Sequence, residues 1–304
     1  MEHYRLKKFI SRKLKDGNYV IVGNGTKPIV IDYKMAQEFQ YENFDALKDV
    51  KIQETFKECG FFTSRKESDF ELNDISEDKT SSWKLARIVL FTIGLISLIV
   101  VISLFFLVGV PTGKNLIPAD IDIWRFLVFI IVFYIPTVIM HEFMHMLFGK
   151  TLSQKYGGLG VNISKNVAYV SLNHIWSWSL FSRISALSAG LILDLSLLAI
   201  SLMGQYFTGN WMFTTSSVVL LYKIIWQFQF YKNCDGRLIA LSILDNPFLH
   251  IDALDKNAKN KDINCWRKLT FLGYFIKIIL VLFWVAPILF TLFGLFMQNF
   301  SNFI

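Results

Sequence analysis

The residues best equipped for chemistry stand together at His141-Glu142-Phe143-Met144-His145. On a helix, positions i and i+4 share a face, so these two imidazoles can bind one metal ion. Glu142, beside them, can take a proton from a water held at that ion. Two imidazoles plus one further ligand suit tetrahedral zinc with an open fourth position, so Zn2+ is the expected cofactor. The location strengthens this reading. Residues 126–140, just before the motif, are apolar apart from Pro136 and Thr137. Ionisable side chains in such a run are costly and mark a site.

A catalytic zinc usually has three protein ligands. No Glu follows Glu142, which excludes a downstream Glu as the third. The downstream candidates are His174 and His250, with Asp194, Asp235, Asp245, Asp252, Asp255 and Asp262. Asp235 stands out, in Asn233-Cys234-Asp235-Gly236 after the largely apolar stretch 218–231. A Gly directly after it lets the backbone turn the carboxylate toward a metal. Cys234 is a soft competitor for the same ion.

At this point the chain resembles the site-2 protease family of intramembrane zinc metalloproteases. That family pairs H-E-x-x-H on one membrane helix with a downstream N-x-x-P-x-x-x-x-D-G. Asp235-Gly236 match its end, while Gln227 stands at the Asn position and Phe230 at the Pro position. Ala189-Gly190-Leu-Ile-Leu-Asp194 looks like the family's A-G-P-x-x-N helix, with Leu191 for Pro and Asp194 for Asn. The resemblance covers roughly residues 124–245. It implies His141, His145 and Asp235 as metal ligands and Glu142 as the general base of peptide hydrolysis. It also makes Gln227 the candidate to stabilise the oxyanion or orient substrate.

These residues must be carried by membrane elements. The 304 residues are 53% hydrophobic, with mean hydropathy +0.42, too apolar for an ordinary soluble protein. Formal charge is +7, with much of the basic excess outside the apolar runs. In a membrane chain that reads as topology and not as nucleic-acid binding. The cysteines, Cys59, Cys234 and Cys265, give no paired disulfide framework. No cleavable signal peptide is expected, because the first apolar run begins near residue 86.

Five spans are expected. Residues 88–110 carry no charge and reach about 34 Å as a helix, enough for a bilayer. Pro111-Thr-Gly, Asp120 and Asp122 mark a short loop. A second span, 124–148, has H-E-x-x-H near its end. Tyr156-Gly-Gly-Leu-Gly precedes residues 161–172, whose alternation around Ser164-Lys165-Asn166 suggests a hairpin with an edge that could hold an extended substrate. His174, Trp176 and Trp178 lie at the interface before the third span, 180–203. Asp194 sits in the middle of that span and should face protein, either orienting a ligand or pairing with Lys223. The fourth span starts near Phe213 and bears Lys223, Gln227 and Asp235 along its length. A polar loop, 245–268, leads to the fifth, 269–297.

Residues 1–82 are polar enough for a small cytosolic domain with its linker, leaving 83–304 as the transmembrane metalloprotease domain. Tyr19-Val-Ile-Val22 and Ile29-Val-Ile-Asp32 form a hairpin around Gly23-Asn24-Gly25-Thr26. Helical segments follow at 35–39, 44–47 and 50–59, the last stopped by Gly60. Residues 66–82 form a charged linker. This order resembles the small winged-helix domain that binds peptides in ribosomal-peptide maturation, of which the peptide chaperone of pyrroloquinoline quinone synthesis is the namesake. A cytosolic cap without a ligand is the plain alternative. The fold expected is thus a mainly α-helical polytopic membrane protein with a short membrane-associated β-hairpin and a small α+β winged-helix-like N-terminal domain.

Loop charge sets orientation. The N-terminal region, 150–183 and 232–268 are rich in Lys and Arg, whereas the other side has only Lys114 and Arg125 near its loops. Positive loops stay inside, so the N terminus is cytosolic and both metal half-sites lie at cytosolic helix ends. The partners are the lipid bilayer and a peptide or membrane-protein substrate. The fused N-terminal domain suggests maturation of a ribosomally made, bacteriocin-like precursor at a bacterial cell membrane. Cleavage of a membrane-anchored regulator and a non-catalytic, zinc-stabilised immunity or receptor protein are the alternatives.

Overall fold

A computed structural model describes residues 5–41, 44–63, 72, 75–118, 121–152, 159–162, 167–170, 172–258 and 260–301. Chain contacts divide it into two compact units. One holds Met1–Arg87, His145–Ala186 and Leu241–His250; the other holds Ile88–Met144, Leu187–Ala240 and Ile251–Ile304.

In the first unit the hairpin forms as the sequence implies, from β3 (Tyr19–Gly23) and β4 (Ile29–Ile31). The Thr26 hydroxyl closes its turn on the Gly23 N–H and carbonyl. The sequence reading missed a strand. β2 (Phe9–Lys13) pairs antiparallel with β3, so the sheet order is β2-β3-β4 and Tyr19–Gly23 is its centre, not an edge. Two short strands, β1 (Arg5–Leu6) and β5 (Phe62–Thr63), pair separately.

α1 (Tyr33–Gln40) starts where the Asp32 carboxylate caps the Met35 N–H. α2 (Val50–Glu58) starts likewise at Asp49 and ends at Gly60, whose φ of +83° suits glycine. The segment expected at 44–47 is a 3-10 turn, Asp45–Lys48. One sheet face packs Ile21, Ile29 and Ile31 against Phe39, Phe56 and Phe61. The opposite face carries Val20 and Val22, also buried. The 3-10 turn Asn173–Ser177 lies against β2 and β3.

Much of the linker expected at 66–82 lies outside the described residues, but its last part is anchored. Ile75 is buried, and its carbonyl accepts the Trp178 indole N–H. Glu77 accepts from the Ser179 N–H and from the hydroxyls of Ser179 and Ser182. This places a carboxylate at the start of α5 (Leu180–Thr208), where the helix dipole favours it. The hairpin expected near 161–172 exists as β6 (Leu159–Asn162) paired with β7 (Val167–Val170). Its turn, Ser164-Lys165-Asn166, and Gly157 and Gly158 lie outside the described residues, as does Asp120.

The other unit is helical: α3 (Ser81–Val108) from its second turn, most of α4 (Ile123–Phe148), the larger part of α5, α6 (Trp211–Trp226), the start of α7 (Asp235–Leu244), and α9 (Lys261–Leu280) running through a π turn into α10 (Ala286–Ser301). A four-residue helix, α8 (Leu249–Asp252), precedes α9. Val101 and Leu104 of α3, Leu198 and Leu202 of α5, Leu220 of α6 and Trp284 share one buried cluster.

Among the described residues, four helices are long and apolar enough to cross a membrane: Ser81–Val108, Ile123–Phe148, Leu180–Thr208 and Lys261–Gly294. The remaining expected span is the shorter apolar helix α6. The fourth expected span does not run unbroken from Phe213 to Asp235. α6 stops at Trp226, about 24 Å long and short of a bilayer's hydrocarbon thickness. Residues 227–234 then fold as successive turns before α7 begins at Asp235.

Candidate metal centre

α4 continues through Pro136 and Thr137 and delivers both histidines from one face. The ring of His141 is buried, and its Nδ1–H donates to Oδ2 of Asp194 at 2.7 Å. Its other nitrogen, Nε2, lies 3.0 Å from Oδ2 of Asp235. His145, one turn on and equally buried, donates Nδ1–H to the Ala186 carbonyl at 2.8 Å. Each imidazole therefore has Nδ1 engaged as a donor, so Nε2 is the nitrogen a metal would take; at His141 it now meets the Asp235 carboxylate.

Among the described residues, one group of side chains could share a metal ion: His141, His145 and Asp235, whose ligand atoms all lie within 4.8 Å of one another. The donor set, two imidazoles and one carboxylate, matches three protein ligands with an open position.

Glycine makes this approach possible. A Cβ at Gly190 would fall 2.6 Å from Nε2 of His141 and 2.7 Å from its ring carbons. Ala186 and Gly190, spaced i, i+4 on α5, thus meet His145 and His141, spaced i, i+4 on α4. The Ala189-Gly190 pair noted in the sequence is where an imidazole lies against bare backbone.

Asp235 is placed by the turns that interrupt the expected fourth span. Gln227 is their fixed point. Its side-chain oxygen accepts the Asp235 N–H at 3.2 Å, and its backbone carbonyl accepts the Gly236 N–H at 3.1 Å. A Cβ at Gly236 would meet that carbonyl at 2.3 Å, so the Gly after Asp235 is needed for close packing. Asp235 itself is half-buried at the first position of α7. Glu142, next to His141 on α4, is also half-buried.

Asp194 does both things weighed for it. It is fully buried, orients His141 through Oδ2, and takes the Lys223 ammonium on Oδ1 at 2.8 Å. Lys223 also donates to the Thr137 carbonyl at 3.2 Å. The pairing of Asp194 with Lys223 is among the sequence expectations; the bond from Lys223 to the Thr137 carbonyl is not.

Three of the remaining candidates, His174, Asp245 and Cys234, have other occupations. His174 donates Nε2–H to the Gly149 carbonyl at 2.7 Å and packs edge-on against Trp178. Burial holds its pKa down at about 4, so it is a neutral structural residue. Asp245 is the hub of an ion cluster. It accepts two bonds from Arg12 of β2, one from Arg183 of α5 and one from the Lys15 N–H. Burial pushes the Cys234 thiol up to about 11, and it donates to the Gln229 carbonyl. Cys234 stands outside the group of side chains that could share the ion.

No family model, curated protein or solved structure matches the chain.

Proposed function

We propose that this chain is a membrane-embedded zinc metalloprotease in which His141, His145 and Asp235 hold the ion and Glu142 is the general base. One observation carries the reading: both histidines have Nδ1 tied to a carboxylate or a carbonyl, and their ligand atoms converge with a carboxylate of α7. Structural zinc sites are closed by four protein ligands, whereas three point to catalysis. When bound, zinc would polarise a carbonyl and lower the pKa of a water from about 15.7 to roughly 7. Glu142 would take the proton of an attacking water and pass it to the leaving amine. Gln227 has its side-chain oxygen committed to Asp235, so its amide nitrogen is the donor we assign to the developing oxyanion.

The substrate we favour is a ribosomally made precursor peptide reached from the cytosol. A groove of about 220 Å³ in the N-terminal sheet supports this choice. It is lined by Phe9 and Ser11 of β2, Tyr19 of β3 and Tyr33, Gln37 and Phe39 of α1. Aromatic walls with a few amide and hydroxyl groups suit an apolar peptide segment. The Lys/Arg-rich loops support a cytosolic side for this domain and for the metal end of α4.

The test is metal analysis and proteolysis on detergent-purified full-length protein. A single bound zinc and chelator-sensitive cleavage of a peptide library are expected. Folded protein that binds no zinc, or cleavage that survives complete chelation, ends the metalloprotease reading.

A further inference from the structure

We infer that Lys223 is a positioning residue for the metal centre: it fixes the Asp194 carboxylate, and through it the ring of His141. This rests on the metal-centre reading and deepens it. Asp194 lies fully buried within an apolar helix, and both its oxygens are used, one by His141 and one by Lys223. The same ammonium donates to the carbonyl of Thr137, one helical turn before His141. A single cation of α6 therefore grips α5 through a side chain and α4 through its backbone, at the turn that delivers the first ligand.

The physical requirement is plain. A carboxylate buried among apolar helices is tolerated only when paired and hydrogen-bonded. Remove Lys223 and Oδ1 has no cation in apolar surroundings. The carboxylate then turns to share the donor that is left, the His141 Nδ1–H. That turn changes the ring's direction, and Nε2 swings away from Asp235. An uncharged amide at position 194 would accept the same Nδ1–H with no charge to balance. The loss of Lys223 should therefore hurt when Asp194 is present and matter far less in the Asp194→Asn background, which is non-additivity between contacting partners.

The experiment uses full-length protein in detergent, stripped of metal. It is titrated with Zn2+ against a chromogenic chelator, and with Co2+ to read the visible ligand-field band. Lys223→Met should bind about 10- to 100-fold more weakly, the usual effect of losing a partner behind a metal ligand, with an altered cobalt band. Lys223→Arg, which keeps the charge, should retain most of the affinity. Adding Lys223→Met to Asp194→Asn should cost less than about tenfold. Equal affinity and an unchanged band in Lys223→Met overturn the positioning role and leave the metal centre standing. Should Lys223→Met fail to fold, the double variant decides: a deficit above about tenfold relative to Asp194→Asn overturns the role. Folded wild-type protein that takes up neither metal overturns the metal centre itself, and with it any role for Lys223.

Discussion

Nε2 of His141 lies against the backbone of Gly190, where a single added Cβ would come within 2.6 Å of it. That distance is far inside van der Waals contact, and the atom displaced is the one the proposed zinc site would use. Gly190→Ala should therefore cost metal affinity by at least about tenfold. Helix formation should not suffer, since Ala is the better helix former. Zinc titration together with the helical circular dichroism signal checks this. Normal helicity with full zinc affinity would show that the ring can shift freely, and that the close approach is irrelevant.

Glu142→Gln should separate binding from chemistry. The amide keeps the shape but cannot take a proton, so zinc content should be unchanged while cleavage falls by about 10²- to 10⁴-fold. Peptide turnover by purified variant, with metal content measured on the same sample, decides it. Turnover near the wild-type rate would remove Glu142 from the mechanism.

Asp235 and Asp245 stand at the first position of α7 and just past its last, and should respond oppositely. Asp235→Ala removes a proposed ligand and should lose zinc with little change in thermal stability of the stripped protein. Asp245→Ala should keep zinc but leave Arg12 and the buried Arg183 without their carboxylate. The cost should be about 3 kcal/mol, the low end for breaking a buried pair because Arg12 is partly exposed. Burial raises the Asp245 pKa, but the bonds from Arg12 and Arg183 outweigh it and hold the carboxyl below its ordinary value. Stability gained this way is present above the unfolded pKa, near 3.9, and is lost as pH falls through the folded one. Wild-type melting temperature should thus drop between about pH 5 and pH 3 more steeply than that of Asp245→Asn. Parallel acid profiles would mean the cluster contributes no linked stability.

The metal half-sites were legible because helical period and glycine leave marks in sequence. His141 and His145 fall four apart, and Asp235 is followed by the one residue that fits against the Gln227 carbonyl. Asp194 was visible as a lone charge in an apolar run, though its two bonds were not. The break between α6 and α7 was hidden. Phe228 and Phe230 are as apolar as a span requires, and the turns depend on backbone bonds such as Gln229 N–H to the Trp226 carbonyl, which no pattern records. β2 was missed because Phe9-Ile-Ser-Arg-Lys13 reads as a charged stretch. Its Arg12 is consumed by Asp245, more than two hundred residues away, and sequence spacing cannot show that pairing.

The last prediction concerns the groove beside β2. Alternation along this strand sends Phe9 and Ser11 to the groove, while Arg12 leaves from the other face to bind the Trp176 carbonyl and Asp245. Ser11 is exposed and small, so Ser11→Trp should fill the groove without disturbing the buried faces or the metal ligands. If the groove holds a segment of the precursor outside the cleavage site, its loss removes binding that is equal in ground and transition states. KM should then rise several-fold with kcat unchanged, and only for a precursor long enough to engage both sites. A truncated peptide spanning the cleavage point alone should be cut equally by wild type and Ser11→Trp. Proline at Val20 is a poor substitute for this test, because Val20 lies in the central strand with partners on both sides and should unfold the sheet. Steady-state kinetics on long and short peptides decide the matter: an unchanged KM for the long precursor would make the N-terminal domain a passive cap.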